Sequence, residues 1–300
     1  MDVSIVIPVR NEAAHIEACL RGVMSQHTSM GIETIVIDSG STDGTPEIAA
    51  RFANVRLIHQ TEADFGHGKT RNLGARLSQG KWVVFLNGDA EPDGRYWLES
   101  LVRPLRRDNA LAGVFSRHLP REECPQYMQR DLMRAFPPGE GILLKPEASV
   151  NAISFSTVSA AMPRAIWQEF PFSDTIAIAE DVEWAQRTLA AGYPILYEPR
   201  SRVFHSHLYS PRQIFRLKRA ISRATPRFSN RVSALFLGFP LCAGGGLARI
   251  AADILFILRH RQPNHPIHVE IARSLAARIF SFSGRFSGWL SAAGHSDSRR

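Results

Sequence analysis

Four clusters of polar residues punctuate the first two thirds of the chain, and each suits one part of a phosphorylated ligand. Pro8-Val9-Arg10-Asn11-Glu12 and Asp38-Ser39-Gly40-Ser41 make the first. Their amides and short side chains can hold a base and a ribose, although either stretch alone reads equally well as an ordinary loop. The second is Phe65-Gly66-His67-Gly68-Lys69-Thr70-Arg71-Asn72, which leads into a helical pattern. Glycines let the backbone approach a phosphate, a helix N-terminus attracts it, and Lys69 or Arg71 can neutralise it. The third, Leu86-Asn87-Gly88-Asp89-Ala90-Glu91-Pro92, sets an acid just past a buried strand, where a divalent cation and a diphosphate would meet. Mg²⁺ or Mn²⁺ suits such a site of few carboxylates and phosphate oxygens, while the bland alternative is a turn capped by Asp89. The fourth pairs Glu180-Asp181 with His205-Ser206-His207. Acids at a helix start also serve as plain partners of its dipole. Two histidines one residue apart in a strand point the same way and can share a metal or an acceptor.

The elements that must carry these clusters alternate. Val3 to Ile7, Glu33 to Ile37, Val55 to His59 and Trp82 to Leu86 are strand-like runs. Glu12 to Gln26, Thr45 to Phe52 and Arg71 to Leu77 have helical spacing, with Pro46 in a first turn. Continuous apolar strands between helices imply an α/β fold whose mostly parallel sheet is covered on both faces. Ligands of such sheets sit at the carboxyl ends of strands, and the polar clusters lie there. Arg103 to Phe155 is rich in Pro, Arg and Glu and reads as irregular: a loop system closing over a ligand, or a surface excursion. Glu180 to Ala191 is a helix ended by Gly192, followed by strands from Ile195 to Tyr197 and Arg202 to Phe204.

After Ser210 the character changes. Arg212, Arg216, Lys218, Arg219, Arg223, Arg227 and Arg231 come without an acid, and an apolar stretch follows from Val232 to Leu258. This divides the chain into a catalytic domain, residues 1–210, and a basic helical extension, residues 211–300. The 300 residues are 44% hydrophobic and carry a net charge of +8, which excludes a largely disordered chain and favours an anionic partner. No aromatic-plus-basic nucleic-acid pattern is present, so the partner is expected to be a nucleotide or a lipid surface. Three scattered cysteines and no basic leader fit a cytoplasmic location.

A rival reading takes Ala63 to Thr70 as a P-loop and Trp82 to Asp89 as its acidic strand. An alanine stands where the first glycine belongs, and the N-terminal strands and later clusters go unexplained. Taken in order, the four clusters instead resemble glycosyltransferase family 2, with the likeness running from about Val3 to Tyr209. More narrowly, Asp38-Ser39-Gly40-Ser41-Thr42-Asp43-Gly44-Thr45, the Phe65 to Asn72 run, Ala179-Glu180-Asp181-Val182-Glu183-Trp184-Ala185 and Val203-Phe204-His205-Ser206-His207-Leu208-Tyr209-Ser210 are similar to bacterial rhamnosyltransferases that use dTDP-L-rhamnose.

The resemblance implies a single GT-A domain, Rossmann-like and nucleotide-sugar-binding. It implies that Pro8, Arg10 and Glu12 line the nucleotide loop, that Asp38 lies near the base, and that Arg71 lies near the phosphates. Ser39, Lys69 and Asn87 are counted with the donor site. Asp89 would bind cation and diphosphate, His205 would add a metal ligand, and Asp181, beside Glu180, would take the acceptor proton. Two departures stand out. Ser39 replaces an acid that reads uracil in many members, and Asn87 replaces the aspartate that often opens the metal motif. The expected activity is inverting, metal-dependent transfer of L-rhamnose to a hydroxyl of a glycan or lipid-linked acceptor in cell-surface polysaccharide synthesis. Alternatives are another hexose from a UDP- or GDP-sugar, a P-loop hydrolase, or a non-catalytic membrane-bound binding protein. Pro211 to Leu258 is expected either to meet an anionic membrane at its inner face or to pack on the catalytic domain.

Overall fold

The computed structural model of the protein describes residues 1–145, 155–224 and 238–294. Among the described residues nine strands form one sheet: β1 (Val3–Val9), β2 (Ile32–Asp38), β3 (Val55–His59), β4 (Trp82–Leu86), β5 (Glu91–Pro92), β6 (Gly113–Leu119), β7 (Ile142–Leu144), β8 (Ser159–Pro163) and β9 (Ile195–Phe204). Their order is β3-β2-β1-β4-β8-β6-β9-β5, with β7 on β9. β3, β2, β1 and β4 run parallel, as do β6 and β9, while β8, β5 and β7 pair antiparallel. The helices are α1 (Ile16–Met24), α2 (Thr45–Ala49), α3 (His67–Leu77), α4 (Trp97–Arg107), α5 (Gln126–Ala135), α6 (Arg164–Glu169), α7 (Glu180–Ala190), α8 (Pro211–Ala224), α9 (Gly238–Arg259) and α10 (Ile267–Gly294).

The chain divides into two compact units, Met1–Leu119 with Met133–His205, and Pro120–Leu132 with Ser206–Arg300. In the first, β1 and β4 are buried on both faces, so their sequences are apolar without alternation. α1 turns Ile16, Cys19, Leu20 and Val23 into this core, and α4 adds Trp97, Leu98, Leu101, Val102 and Leu105 at helical spacing. α3 lies close on the sheet because residue 74 is glycine. A methyl there would collide with the Val6 side chain and stand 3.0 Å from Ile37 Cδ1. α7 ends at Ala190 with Ala191 as its C-cap, and Gly192 takes the left-handed conformation at φ 92°.

The stretch from Arg103 to Phe155, expected to be irregular, holds the end of α4 and all of β6, α5 and β7. β6 escapes a pattern reading because Ser116 and His118 are buried alongside Val114 and Phe115. Ser116 bonds Ser159 and Ser201 at 2.7 Å each, and Trp97 Nε1 donates to Ser159 Oγ at 2.9 Å. This buried chain fastens β6, β8 and β9 together. β9 is one strand and not two. Its register against β6 slips between Ser116, which pairs with Glu198, and Arg117, which pairs with Arg202, so Pro199-Arg200-Ser201 bulges between the two runs read from sequence.

The second unit is helical. α8 packs on α10, and Tyr127, Ile214 and Ala277 form its apolar centre. Two fully buried carboxylates hold it. Asp253 accepts from Ser274 at 2.6 Å, from Arg278 at 2.8 Å and from Arg130. Glu270 accepts from Gln126 N at 2.6 Å, from Arg273 at 2.8 Å and faces His265 at 3.2 Å. Arg227 and Arg231, with the start of the apolar stretch at Val232, lie outside the described residues. No helix among the described residues is long and apolar enough to cross a membrane.

The close seat of α3 gives a direct check. Gly74→Ala is expected to overpack the sheet face and lower unfolding free energy by about 1–3 kcal/mol. A urea midpoint equal to that of the wild type would show that α3 has room to spare.

Candidate functional site

The clusters follow β1, β2, β3, β4 and β9, with Glu180 and Asp181 opening α7, and hydrogen bonds lock their loops. After β1, Asn11 adopts a left-handed φ of 56°, which asparagine tolerates. Asn11 N donates to Ser41 Oγ at 2.8 Å, and Asn11 Oδ1 accepts from Thr42 N at 2.8 Å. Glu12 N donates to Thr45 Oγ1 at 2.8 Å. The loops after β1 and β2 are thus one structure, into which Pro8 leads as the penultimate residue of β1. Arg10 pairs with Glu62 and lies over the Phe65 ring, 5.3 Å from its centroid. Asp38 is buried and caps its own loop, accepting from Ser41 N at 3.2 Å. Ser39 Oγ accepts from Gln60 Nε2 at 2.8 Å, and the same amide reaches Thr70 at 2.6 Å. That bridge ties the β2 loop to α3. Lys69 stands exposed in the first turn of α3.

Arg71 goes elsewhere. It is only 4% exposed and pairs with Glu180, also 4% exposed, at 2.5 Å. Its other terminal nitrogen donates to Asn87 Oδ1 at 2.9 Å. One guanidinium therefore joins the helix that follows the glycine loop, the start of α7 and the turn after β4. Asn72, next along α3, receives Trp167 Nε1 and Phe172 N and donates to the Phe172 carbonyl at 2.8 Å. It pins the segment that enters α7. The entry is strained, for Ala179 has φ 68° without being glycine.

Asp181 directly follows. Its Oδ1 accepts from Val182 N at 2.8 Å and its Oδ2 from Thr157 N at 3.3 Å. Burial pushes its carboxyl above the usual carboxylate value, and the neighbouring Glu180 charge adds to this, with Arg71 opposing. A carboxylate so placed is a better proton acceptor than a solvated one.

The turn after β4 places Asp89, 6% exposed, with Oδ2 at 3.4 Å from His205 Nε2 at the end of β9. His207, two residues further along the chain, offers a third ligand atom, and the three atoms lie within 4.8 Å of one another. One carboxylate and two imidazoles at such spacing can close around a divalent cation, and the imidazoles suit Mn²⁺ better than Mg²⁺. His118 stands edge-on to His205 at 5.5 Å and stacks on Phe136 at 3.9 Å. Burial, then the neighbouring His205, holds its pKa well below the usual imidazole value. Sequence gave no signal for His118, a lone histidine in a stretch read as irregular, and none for the Gln60 bridge.

Residues 4–169 match the family model for glycosyl transferase family 2. The chain is 33% identical over 197 residues to the O-antigen chain rhamnosyltransferase WbaN of Salmonella anatum, covering 63% of this chain and 61% of that relative. It is 30% identical over 222 residues to the O-antigen chain rhamnosyltransferase RfbN of Salmonella typhimurium, covering 72% and 69%. The chain thus spans about three fifths to two thirds of the length of these relatives. In fold it is similar to the mannosyltransferase PcManGT from Pyrobaculum calidifontis, solved with GDP-Man and Mn²⁺, at a TM-score of 0.62, 20% identity and coverage of 99% and 88%. A second likeness, at a TM-score of 0.53, 21% identity and coverage of 74% and 77%, is to glucosyl-3-phosphoglycerate synthase from Mycobacterium tuberculosis, solved with Mn²⁺, UDP and glucosyl-3-phosphoglycerate. A sheet of this order, strand-end loops in this sequence and a family model over more than half of the chain agree: the protein belongs to glycosyl transferase family 2.

Proposed function

We propose that the chain is an inverting glycosyltransferase that moves L-rhamnose from dTDP-L-rhamnose to a hydroxyl of a glycan or lipid-linked acceptor in cell-surface polysaccharide synthesis. The observation that carries the reading is Asp181, a carboxyl of raised pKa held beside the Arg71–Glu180 pair. Asp181 takes the acceptor proton as the acceptor oxygen bonds to the anomeric carbon. The bond from that carbon to the phosphate oxygen breaks, and the nucleoside diphosphate leaves with its electrons. Asp89 and His205, with His207, would hold a divalent cation, which when bound neutralises the departing diphosphate. Arg71 and Glu180 position the base and the Asn87 turn, while Pro8, Arg10, Glu12, Asp38, Ser39 and Lys69 serve the donor. The rhamnosyl donor is supported by the names of the two Salmonella relatives and by Ser39, which cannot mimic an acid reading uracil.

A second observation supports a peripheral place at the inner face of the plasma membrane. Leu247, Leu255 and Leu258 on α9 and Leu275, Ile279 and Phe280 on α10 are large apolar side chains exposed to solvent. Between residues 211 and 294 the acids are Asp253 and Glu270, and both are fully buried. The exposed charge of these helices is therefore entirely positive among the described residues. Apolar residues rimmed by cations fit an anionic lipid surface, at about 1 kcal/mol per nearby basic side chain.

Three outcomes are expected. Asp181→Asn should cut turnover by about 10²–10⁴-fold with donor affinity unchanged. The folded Asp181 pKa is raised, so its proton is kept where the unfolded chain has lost it, and stability falls as pH rises through the folded pKa. Asp181→Asn should therefore be more stable than wild type at neutral pH, and the wild-type rate should fall on acidification above the ordinary carboxylate range. Near-normal turnover in the variant would remove Asp181 from the chemistry.

In calorimetric titrations with Mn²⁺, dTDP-L-rhamnose should bind best in a panel of dTDP-, UDP- and GDP-sugars. Asp89→Ala should abolish the metal-dependent part of binding, and His205→Ala should weaken it. Transfer that persists in chelator would overturn the metal reading, and preference for a UDP-hexose would overturn the donor. Full-length protein should sediment with anionic vesicles at low salt, less so as salt rises, and Leu255→Glu with Ile279→Glu should release it. A protein left in the supernatant at low salt, or a dimer lost in that variant, would contradict the membrane reading.

A further inference from the structure

We propose that the C-terminal unit holds a saccharide subsite for the acceptor. A cavity of about 340 Å³ opens there between Pro120, Arg121, Glu122 and Gln129 on one side and the loop from Gln262 to His265 on the other. The volume lies at the lower end of the range of about 300–1,000 Å³ that small-ligand sites occupy, enough for one or two sugar rings. The lining chooses the ligand class. Gln129, Gln262 and Asn264 bring side-chain amides, each with donors and an acceptor on one plane. Sugar hydroxyls, which donate and accept at once, match such groups. Pro120 and Pro263 supply flat C–H faces for a pyranose ring.

Other ligands fit poorly. An apolar molecule would offer no partner to the Gln262 and Asn264 amides, which is costly. A phosphate would find one arginine, Arg121, beside the like charge of Glu122. A metal ion would find few free donors, because His265 Nδ1 faces Glu270 and Nε2 faces the Glu122 carbonyl, each at 3.2 Å. These two contacts also fix the His265 ring as a rigid wall. The Gln129 and Gln262 amides face each other at 3.3 and 3.4 Å, beyond the usual range of about 2.7–3.2 Å. Gln129 Nε2 is held independently by the Cys124 carbonyl at 2.8 Å, so hydroxyls can take over the weak bonds to Gln262 while that one stays.

The link to transfer runs through Arg121. Its side chain donates to the Ser206 carbonyl at 3.0 Å and its backbone N to Ser206 Oγ at 3.1 Å. Ser206 lies between His205 and His207, so a saccharide bound against Arg121 touches a residue fastened to the His-Ser-His run. The inference rests on the proposed transfer only for the word acceptor; the binding of sugar is tested by itself.

The test uses saturation-transfer NMR and calorimetry on full-length protein with the methyl glycosides of rhamnose, mannose, galactose and N-acetylglucosamine. At least one is expected to bind, with affinity reduced about tenfold or more by Gln262→Ala with Asn264→Ala. Both residues are on a loop, and an unchanged melting temperature reports the fold. Asn264→Trp, which fills the cavity, should have the same effect, while hydrolysis of sugar nucleotide without acceptor stays at the wild-type rate. Lack of binding by every glycoside, or equal binding by wild type and both variants, would overturn the subsite. A wild-type protein that binds a glycoside at this loop but turns over no sugar nucleotide would uphold the subsite and sink the transferase reading.

Discussion

The buried pair of Arg71 and Glu180 is the constraint on which the site depends. Two charges removed from water cost several kcal/mol each, and only close pairing with further hydrogen bonds offsets that. Here the pairing is at 2.5 Å, and Asn87 takes a second arm of the guanidinium at 2.9 Å. Loss of either partner would leave an uncompensated buried charge, at about 3–5 kcal/mol. The pair therefore fixes, in one geometry, the helix after the glycine loop, the turn that carries Asp89 and the start of α7. Function follows from what this leaves available. Glu180 is occupied, and Asp181 beside it feels burial and the Glu180 charge and holds its proton more tightly than an ordinary aspartate.

Much of this was legible from sequence, and the failures have physical causes. β1 and β4 announced themselves because both faces are buried. The helix expected from Glu12 begins at Ile16, because Asn11 turns left-handed and the Glu12 amide is spent on Thr45. The helix expected from Arg71 begins at His67, since Gly68 in its first turn packs against the Ser173 backbone and leaves no space for a side chain. Ser116 disguised β6, and Ser201 the join between the two strand runs read within β9, because a strand that buries hydroxyls on a hydrogen-bonded chain shows no apolar period. The polar clusters could be listed from their residue types, but not their partners. Arg71 and Glu180 are 109 positions apart, and only the folded sheet brings them together.

The C-terminal unit shows the same economy of charge in a different setting. The two acids of residues 211–294, Asp253 and Glu270, are withdrawn from the surface to neutralise arginines and to hold helices, so the charge that α8, α9 and α10 expose among the described residues is cationic. Gln129, Gln262 and Asn264 bring their amides to one cavity. Pro120–Leu132 groups with the later helices and supplies Gln126 to Glu270 and Arg130 to Asp253.

If Glu180 is tied to Arg71 and Asp181 alone is left to act, the reaction has one base and no protein nucleophile. By analogy with glycoside hydrolysis, a retaining route needs a second carboxylate at the anomeric carbon, whereas one displacement inverts it. The direct measurement is the anomeric configuration of the first-formed product, read by NMR from its one-bond carbon–hydrogen coupling. The configuration opposite to that of the donor is expected. A product that keeps the donor's configuration would contradict it.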